Sequence, residues 1–169
     1  MKSGWYCGPV LWVAVAAHAA APHEHGVARL DLAVEPSRVT LFLEMPLDSL
    51  LGFERAPRDE GERKRADEAR ARLGDAAALF AFDPAAHCAP TKVDLNAPAL
   101  GGASARDEHA DLEATFEFTC RDASRVGFVE VGLFDAFSRL QRLDVQAATR
   151  KGQMKLTLKR PARRIALVR

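Results

Sequence analysis

Aromatic rings other than phenylalanine are scarce in this chain: two Trp and one Tyr stand against nine Phe in 169 residues. No apolar run reaches the roughly 20 residues that a membrane-spanning helix needs. The sequence has no G-x-S-x-G elbow, no phosphate-binding glycine loop, no dinucleotide fingerprint and no H-E-x-x-H. Without a nucleophile–base or cofactor pattern, enzymatic activity is not expected. Charge of one sign is missing too: 24 Lys and Arg face 23 Asp and Glu, a formal net charge of +1. That balance excludes a polycation built for nucleic acid or for an anionic lipid surface. Repeats and low-complexity tracts are absent.

Cysteine is also sparse, with three residues, and the first of them lies in an unusual stretch. MKSGWYCGPVLWVAVAAHA opens with Lys2, continues through an apolar Pro9–Ala17 segment and ends in Ala17-His18-Ala19. A positive start, a short apolar run and small residues in this order predict a secretory signal over 1–19. Cleavage there removes Trp5, Trp12, Tyr6 and Cys7, and leaves one domain over 20–169 with no membrane span. About 150 residues suffice for one ordinary core. The two remaining cysteines, Cys88 and Cys120, form an even pair in an exported chain, which predicts a disulfide. The bond closes a loop of about 33 residues, worth roughly 3–4 kcal/mol in the chain-entropy account. Two free thiols or a thiolate metal site are the alternatives. A disulfide takes sulfur off the list of metal ligands.

Alternation carries most of the remaining pattern. VARLDLAV (27–34) and VTLFLEM (39–45) each place apolar residues at every second position, on either side of the turn EPSR. Such a pair predicts a hairpin buried on one face. PLDSLLGFERAPRD (46–59) is a connector, followed by a Glu-, Arg- and Ala-rich helix over 59–73 with a thin Ala66, Ala69, Leu73 stripe. Gly74 is its expected stop, and Glu60–Lys64 an expected pair on its wet face. LFAF (79–82) reads as a short strand, and 83–105 as mostly loop with a brief strand near 92–95. LEATFEFTC (112–120) alternates most strongly of all. VGFVEV (126–131) is a strand, LFDAFSRL (133–140) a short helix, and LDVQAAT (143–149) with MKLTLKR (154–160) a second hairpin. RIALV (164–168) is an edge strand. These predict an α+β fold: an antiparallel sheet of about six to eight strands, with one longer and one short helix packed on one side or end.

HEHG (23–26) is the motif with chemical content. Side chains at i and i+2 of an extended segment point the same way, so His23 and His25 present two imidazoles about 7 Å apart. Neutral imidazole suits zinc, copper and nickel. His109 in RDEHAD is the other candidate, sharing the polar face of its strand with Asp111 and Glu113; one nitrogen and two carboxylates suit Zn²⁺. Competing readings are a polar lead-in for HEHG and a solvated loop for His109. His87, beside Cys88, is taken as a disulfide neighbour. An amino-terminal copper chelate starting at Ala21 is excluded, because Pro22 has no amide proton to lose. If the first strand lies beside 112–120, His23, His25, His109 and Asp111 meet, with Glu24 as a further donor.

The blocks HEHGVARLDLAVE, PLDSLLGFERAPR, EHADLEATFEFTC and RLDVQAATRKGQMKLTLKR resemble the ZrgA-like family of zinc-regulated periplasmic proteins of proteobacteria. The likeness covers essentially all of the mature chain, and LLGFERAP is its most specific block. It implies a periplasmic zinc-binding accessory serving zinc acquisition or homeostasis, with reversibly bound Zn²⁺ as ligand and a component of a zinc uptake system as partner. A monomer is expected. Residues carried over are His23 and His25 in the opening motif and His109 with Asp111 before the strand. Relatives carry a long His- and Asp-rich loop at this point, whereas NAPALGGASARDEHAD (96–111) holds His109 alone, which argues against high-capacity scavenging. A different reading is an interaction or scaffold module with incidental histidines, working through a sheet edge or the connector around Leu50–Phe53.

Overall fold

A computed structural model describes residues 24–98 and 111–167. The strands are β1 Val27–Val34, β2 Arg38–Pro46, β3 Phe80–Phe82, β4 Cys88–Asn96, β5 Asp111–Cys120, β6 Phe128–Val131, β7 Arg142–Thr149, β8 Gly152–Lys159 and β9 Arg164–Ala166. Four helices join them: α1 Leu47–Leu51, α2 Glu60–Gly74, α3 Ala76–Leu79 and α4 Leu133–Ala136. Six strands form a large sheet in the order β4-β5-β2-β1-β7-β8, and β3-β6-β9 form a small one. The α+β class expected from the pattern is the fold found. Among the described residues no helix is long and apolar enough to cross a membrane.

The alternation of β1 and β2 does what period-two patterns do. Ala28, Leu30, Leu32, Val39, Leu41, Leu43 and Met45 are all buried. Arg29 and Glu44, opposite each other in the register, pair on the other face at 3.3 Å. β5 extends this inner face with Leu112, Ala114, Phe116, Phe118 and Cys120. The small sheet packs onto it through phenylalanines. Phe80 meets Phe116 edge-on at 5.0 Å between ring centroids, and Phe82 meets Phe118 at 4.7 Å. Each such ring removes enough apolar surface from water to contribute roughly 1.5–3 kcal/mol.

Two features of the sheet depart from sequential hairpins. β1 runs parallel to β7, with Leu30 opposite Val145 and Leu32 opposite Ala147. β2 lies between β1 and β5, so the first strand is not beside 112–120 as expected. Alternation dictates which face a strand buries, and it is silent on which neighbour it takes.

Local boundaries follow from caps. Asp59 accepts from the Glu62 amide at 2.8 Å and starts α2, as an N-cap aspartate does. Gly74 ends up as the last helical residue, with Asp75 as cap. On the exposed face the pairs are Lys64–Glu68 and Glu68–Arg72 in place of Glu60–Lys64. Leu79 closes α3 and only 80–82 is strand. The segment expected to hold a brief strand near 92–95 is a nine-residue one, β4, with a register shift between Pro90 and Lys92. α4 is shorter than its apolar spacing suggests, because Phe137 is already extended. Arg160 takes over there, donating to the carbonyls of Phe134, Phe137 and Leu140. Cys88 and Cys120 face each other across β4 and β5 and are disulfide-bonded.

Candidate metal centre

The described part of HEHG is a fastened turn. The Glu24 carbonyl accepts from the Val27 amide at 3.2 Å. Gly26 is buried, with φ +77°, a conformation that favours glycine. Its N–H donates to the hydroxyl of fully buried Ser49 at 2.8 Å. Its carbonyl accepts from the amides of Gln141 and Arg142 at 2.7 and 3.0 Å. A Cβ at this position would stand 3.3 Å from the Arg139 carbonyl. The turn is therefore tied to the first helix through the Gly26 N–H and to the approach to β7 through the Gly26 carbonyl.

At the tip of this turn the His25 side chain is 68% exposed. Its Nδ1 lies 3.0 Å from Oδ2 of Asp48, in the first turn of α1, and 3.9 Å from Oε1 of Glu54. Only the first is a close contact. Asp48 is itself clamped. Arg139 donates through Nε to the Asp48 carbonyl at 2.8 Å and through Nη2 to the carboxylate at 3.2 and 3.3 Å. Glu24 is engaged elsewhere, in a two-pronged pair with Arg142 at 2.6 and 3.1 Å. That bond, ahead of the nearby Asp144 carboxylate, raises the Arg142 pKa further above its ordinary value.

The remaining candidates divide between described and undescribed positions. His23 and His109 lie outside the described residues. Asp111 opens β5 opposite Pro46, the last residue of β2. In the neighbouring pair Arg29 faces Glu44, so the start of β1 lies at this same end of the sheet. Thus the His25 turn and Asp111 share one end, separated by β2. His87 belongs to the far end: it precedes Cys88, which pairs with Cys120 where β5 finishes. Of the connector residues Leu50–Phe53 expected as an apolar docking surface, Leu50 and Leu51 are buried and Phe53 is half-buried.

The sequence pattern described as "ZrgA family zinc uptake protein" matches residues 22–167. The chain belongs to the ZrgA family. No curated protein matches it. As a ZrgA family member it is related to zinc uptake. Among the described residues no group of three or more His, Cys, Asp or Glu side chains is arranged to hold a metal ion. At one point an exposed imidazole, that of His25, lies beside a carboxylate, that of Asp48. In this ZrgA protein the most specific sequence block, LLGFERAP, does structural work. Phe53 lies under the guanidinium groups of Arg55 and Arg65 at 5.1 and 5.8 Å, and Arg55 pairs with Glu62.

Asp48, Glu54 and Arg139 were not singled out in the sequence. Asp48 had one visible cue, an acid in the first turn after Pro46. Its contact with Arg139 spans 91 positions, and nothing in a single sequence announces such a pairing.

Proposed function

We propose that this ZrgA family protein is an exported, periplasmic, non-enzymatic zinc-binding accessory that assists zinc acquisition. His25 is a ligand, joined by His23 of the same motif, by His109 and by Asp111 at the start of β5. The observation that carries this reading is the fastened Glu24–Gly26 turn. It holds an exposed imidazole in place at the end of the sheet where Asp111 lies. A polar lead-in with no task needs neither a buried glycine at positive φ nor a hydroxyl anchor and amide anchors on two other segments. The Cys88–Cys120 disulfide fits an oxidising compartment.

Two imidazoles leave a tetrahedral zinc half coordinated, which is why donors from β5 are part of the proposal. A segment 96–111 with the single histidine His109 suits a carrier of moderate affinity. Copper and nickel compete for the same nitrogens.

Titration of Zn²⁺ against the mature protein, with a chelating competitor, tests the reading. One zinc per chain is expected, with affinity falling as pH drops through the histidine range near about 6.5. Absence of competitor-resistant binding overturns it. Intact-mass measurement on periplasmic material tests export: the mature chain starts near Ala20 and lacks Trp and Tyr, and retention of 1–19 overturns the localisation.

A further inference from the structure

We infer that the free edge of β8 takes up an acidic, extended segment of a partner polypeptide as a seventh strand of the large sheet. The inference does not rest on the zinc reading of the opening motif. The sheet ends in β4 on one side and in β8 on the other. β4 is blunted. Pro90 has no N–H to offer, the register shifts between Pro90 and Lys92, and Thr91 donates its hydroxyl to the Glu117 carbonyl. β8 has neither proline nor bulge, and keeps an unbroken antiparallel register with β7 from Gly152 opposite Thr149 to Lys159 opposite Arg142. The Arg160 amide, bonded to the Gln141 carbonyl at 3.4 Å, sets the phase of that ladder. Alternate residues of an antiparallel pair turn both backbone groups to the partner, so Gly152, Met154, Leu156 and Leu158 face β7. Gln153, Lys155 and Thr157 present their N–H and C=O groups to the open side, which no other described strand covers.

The charge along this edge is of one sign. Residues 150–160 hold five Lys and Arg and no Asp or Glu, in a chain whose formal net charge is +1. Arg160 is spent on the carbonyls of Phe134, Phe137 and Leu140. Arg150, Lys151, Lys155 and Lys159 form no ion pair among the described residues, whereas Lys64 and Lys92 are matched with Glu68 and Asp94. Lys155 and Lys159 stand on one face of β8, roughly 14 Å apart along the strand, and half-buried Met154 and Leu156 on the other. An added strand lays its side chains opposite these on the same faces. The fit is an acid opposite Lys155, an apolar residue opposite Leu156, a polar one opposite Thr157, an apolar one opposite Leu158 and a second acid opposite Lys159. That order reads the same in both directions, so either strand orientation satisfies it. A second copy offers the wrong charge, because β8 against β8 sets two cationic edges together. Lysines on an edge ward off such pairing and favour a strand of opposite charge. In recognition by strand addition, main-chain hydrogen bonds supply the affinity and the alternating side chains the selectivity.

The probe is a capped fluorescent peptide with glutamate at every fourth position, threonine midway between and valine at the rest. Its anisotropy is expected to show saturable binding at low salt that weakens as ionic strength rises. The amide protons of Gln153, Lys155 and Thr157 are expected to exchange about 10-fold more slowly with the peptide bound, a readout that charge attraction alone does not move. Lys155→Gln/Lys159→Gln is expected to weaken binding about 10-fold, and Lys64→Gln to leave it unchanged. Thr157→Pro removes an edge donor that β7 does not use and is expected to weaken binding at least as much. If Thr157→Pro loses its cooperative thermal transition, the peptide N-methylated at alternate residues replaces it, with the same loss expected. No saturable binding, binding without slower exchange at the three amides, or an equal loss in Lys64→Gln overturns the proposal. So does equal binding of the N-methylated peptide or of one with lysine in place of glutamate. Two further results overturn it by naming another occupant. A dimer in sedimentation that Thr157→Pro turns into a monomer assigns the edge to a second copy. Phosphatidylglycerol vesicles that bind through Lys155 and Lys159, where the peptide does not, assign it to an anionic lipid surface.

Discussion

Arg55 and Glu62 meet fork to fork, Nη1 to Oε2 at 2.6 Å and Nη2 to Oε1 at 2.7 Å. The same carboxylate accepts from the Arg58 amide at 2.7 Å, and its residue is 8% exposed. Three donors on one nearly enclosed carboxylate fasten the connector to the first turn of α2. Bidentate pairs of this geometry are among the stronger polar contacts.

The first prediction is a pH signature. The Arg55 guanidinium, then the Arg58 amide, hold the Glu62 carboxyl down at about 2, against an ordinary value of 4.5. A depressed folded pKa contributes stability that is fully present above the unfolded value and is lost as pH falls through the folded one. Glu62→Gln is therefore expected to lower the midpoint of thermal unfolding by several degrees at pH 7. The gap to the parent should narrow steadily between pH 4.5 and 2. A gap independent of pH in that window refutes the assignment.

The second concerns the cross-strand disulfide. Cys88 and Cys120 should resist alkylation until reduced. Cys120→Ser should lower unfolding free energy by roughly 2–5 kcal/mol, through the loop the bond closes. Ready labelling of both thiols in the native, unreduced protein contradicts this.

The third tests Gly26. Alanine at φ +77° with a Cβ 3.3 Å from the Arg139 carbonyl is expected to cost about 1–3 kcal/mol. Because the same residue holds His25 in register, zinc affinity should fall along with stability. A variant that loses stability yet keeps full zinc affinity separates the turn from the site.

The fourth uses coupling between ligands. His23→Ala, His25→Ala and His109→Ala are each expected to weaken zinc binding, and the double change His25→Ala/His109→Ala to cost less than the sum of the two. Strict additivity in competitor titrations indicates two separate weak sites.

Period-two alternation made β1, β2, β5 and the β7–β8 hairpin legible in the sequence, and Asp59 made the start of α2 legible. In each case a local pattern dictates a local outcome. The parallel pairing of β1 with β7 is different in kind: Leu30 and Val145 fit each other as they fit many apolar partners, so no residue encodes the match. The full length of β4 is hidden because Pro90 interrupts its alternation; Pro90 still pairs with Phe118, and the register shift falls at Thr91, between Pro90 and Lys92. At the candidate site, His25 was visible as part of a motif. Asp48 and Arg139 were not, since their roles arise only when segments far apart in sequence converge. Leu50 and Leu51 looked like a docking surface because apolar connectors carry no mark of whether something covers them.

The position of β1 inside the large sheet has a temporal side. Its second edge is β7, and Gly26 is gripped by the amides of Gln141 and Arg142. A chain threaded from its N-terminus therefore delivers its histidine motif first and the grip on it last. Until residues 139–142 arrive, His25 has neither its clamped carboxylate nor its anchored turn. If the motif binds zinc as proposed, capture is reserved for the finished molecule, and a truncated or stalled chain carries His25 without the contacts that hold its turn.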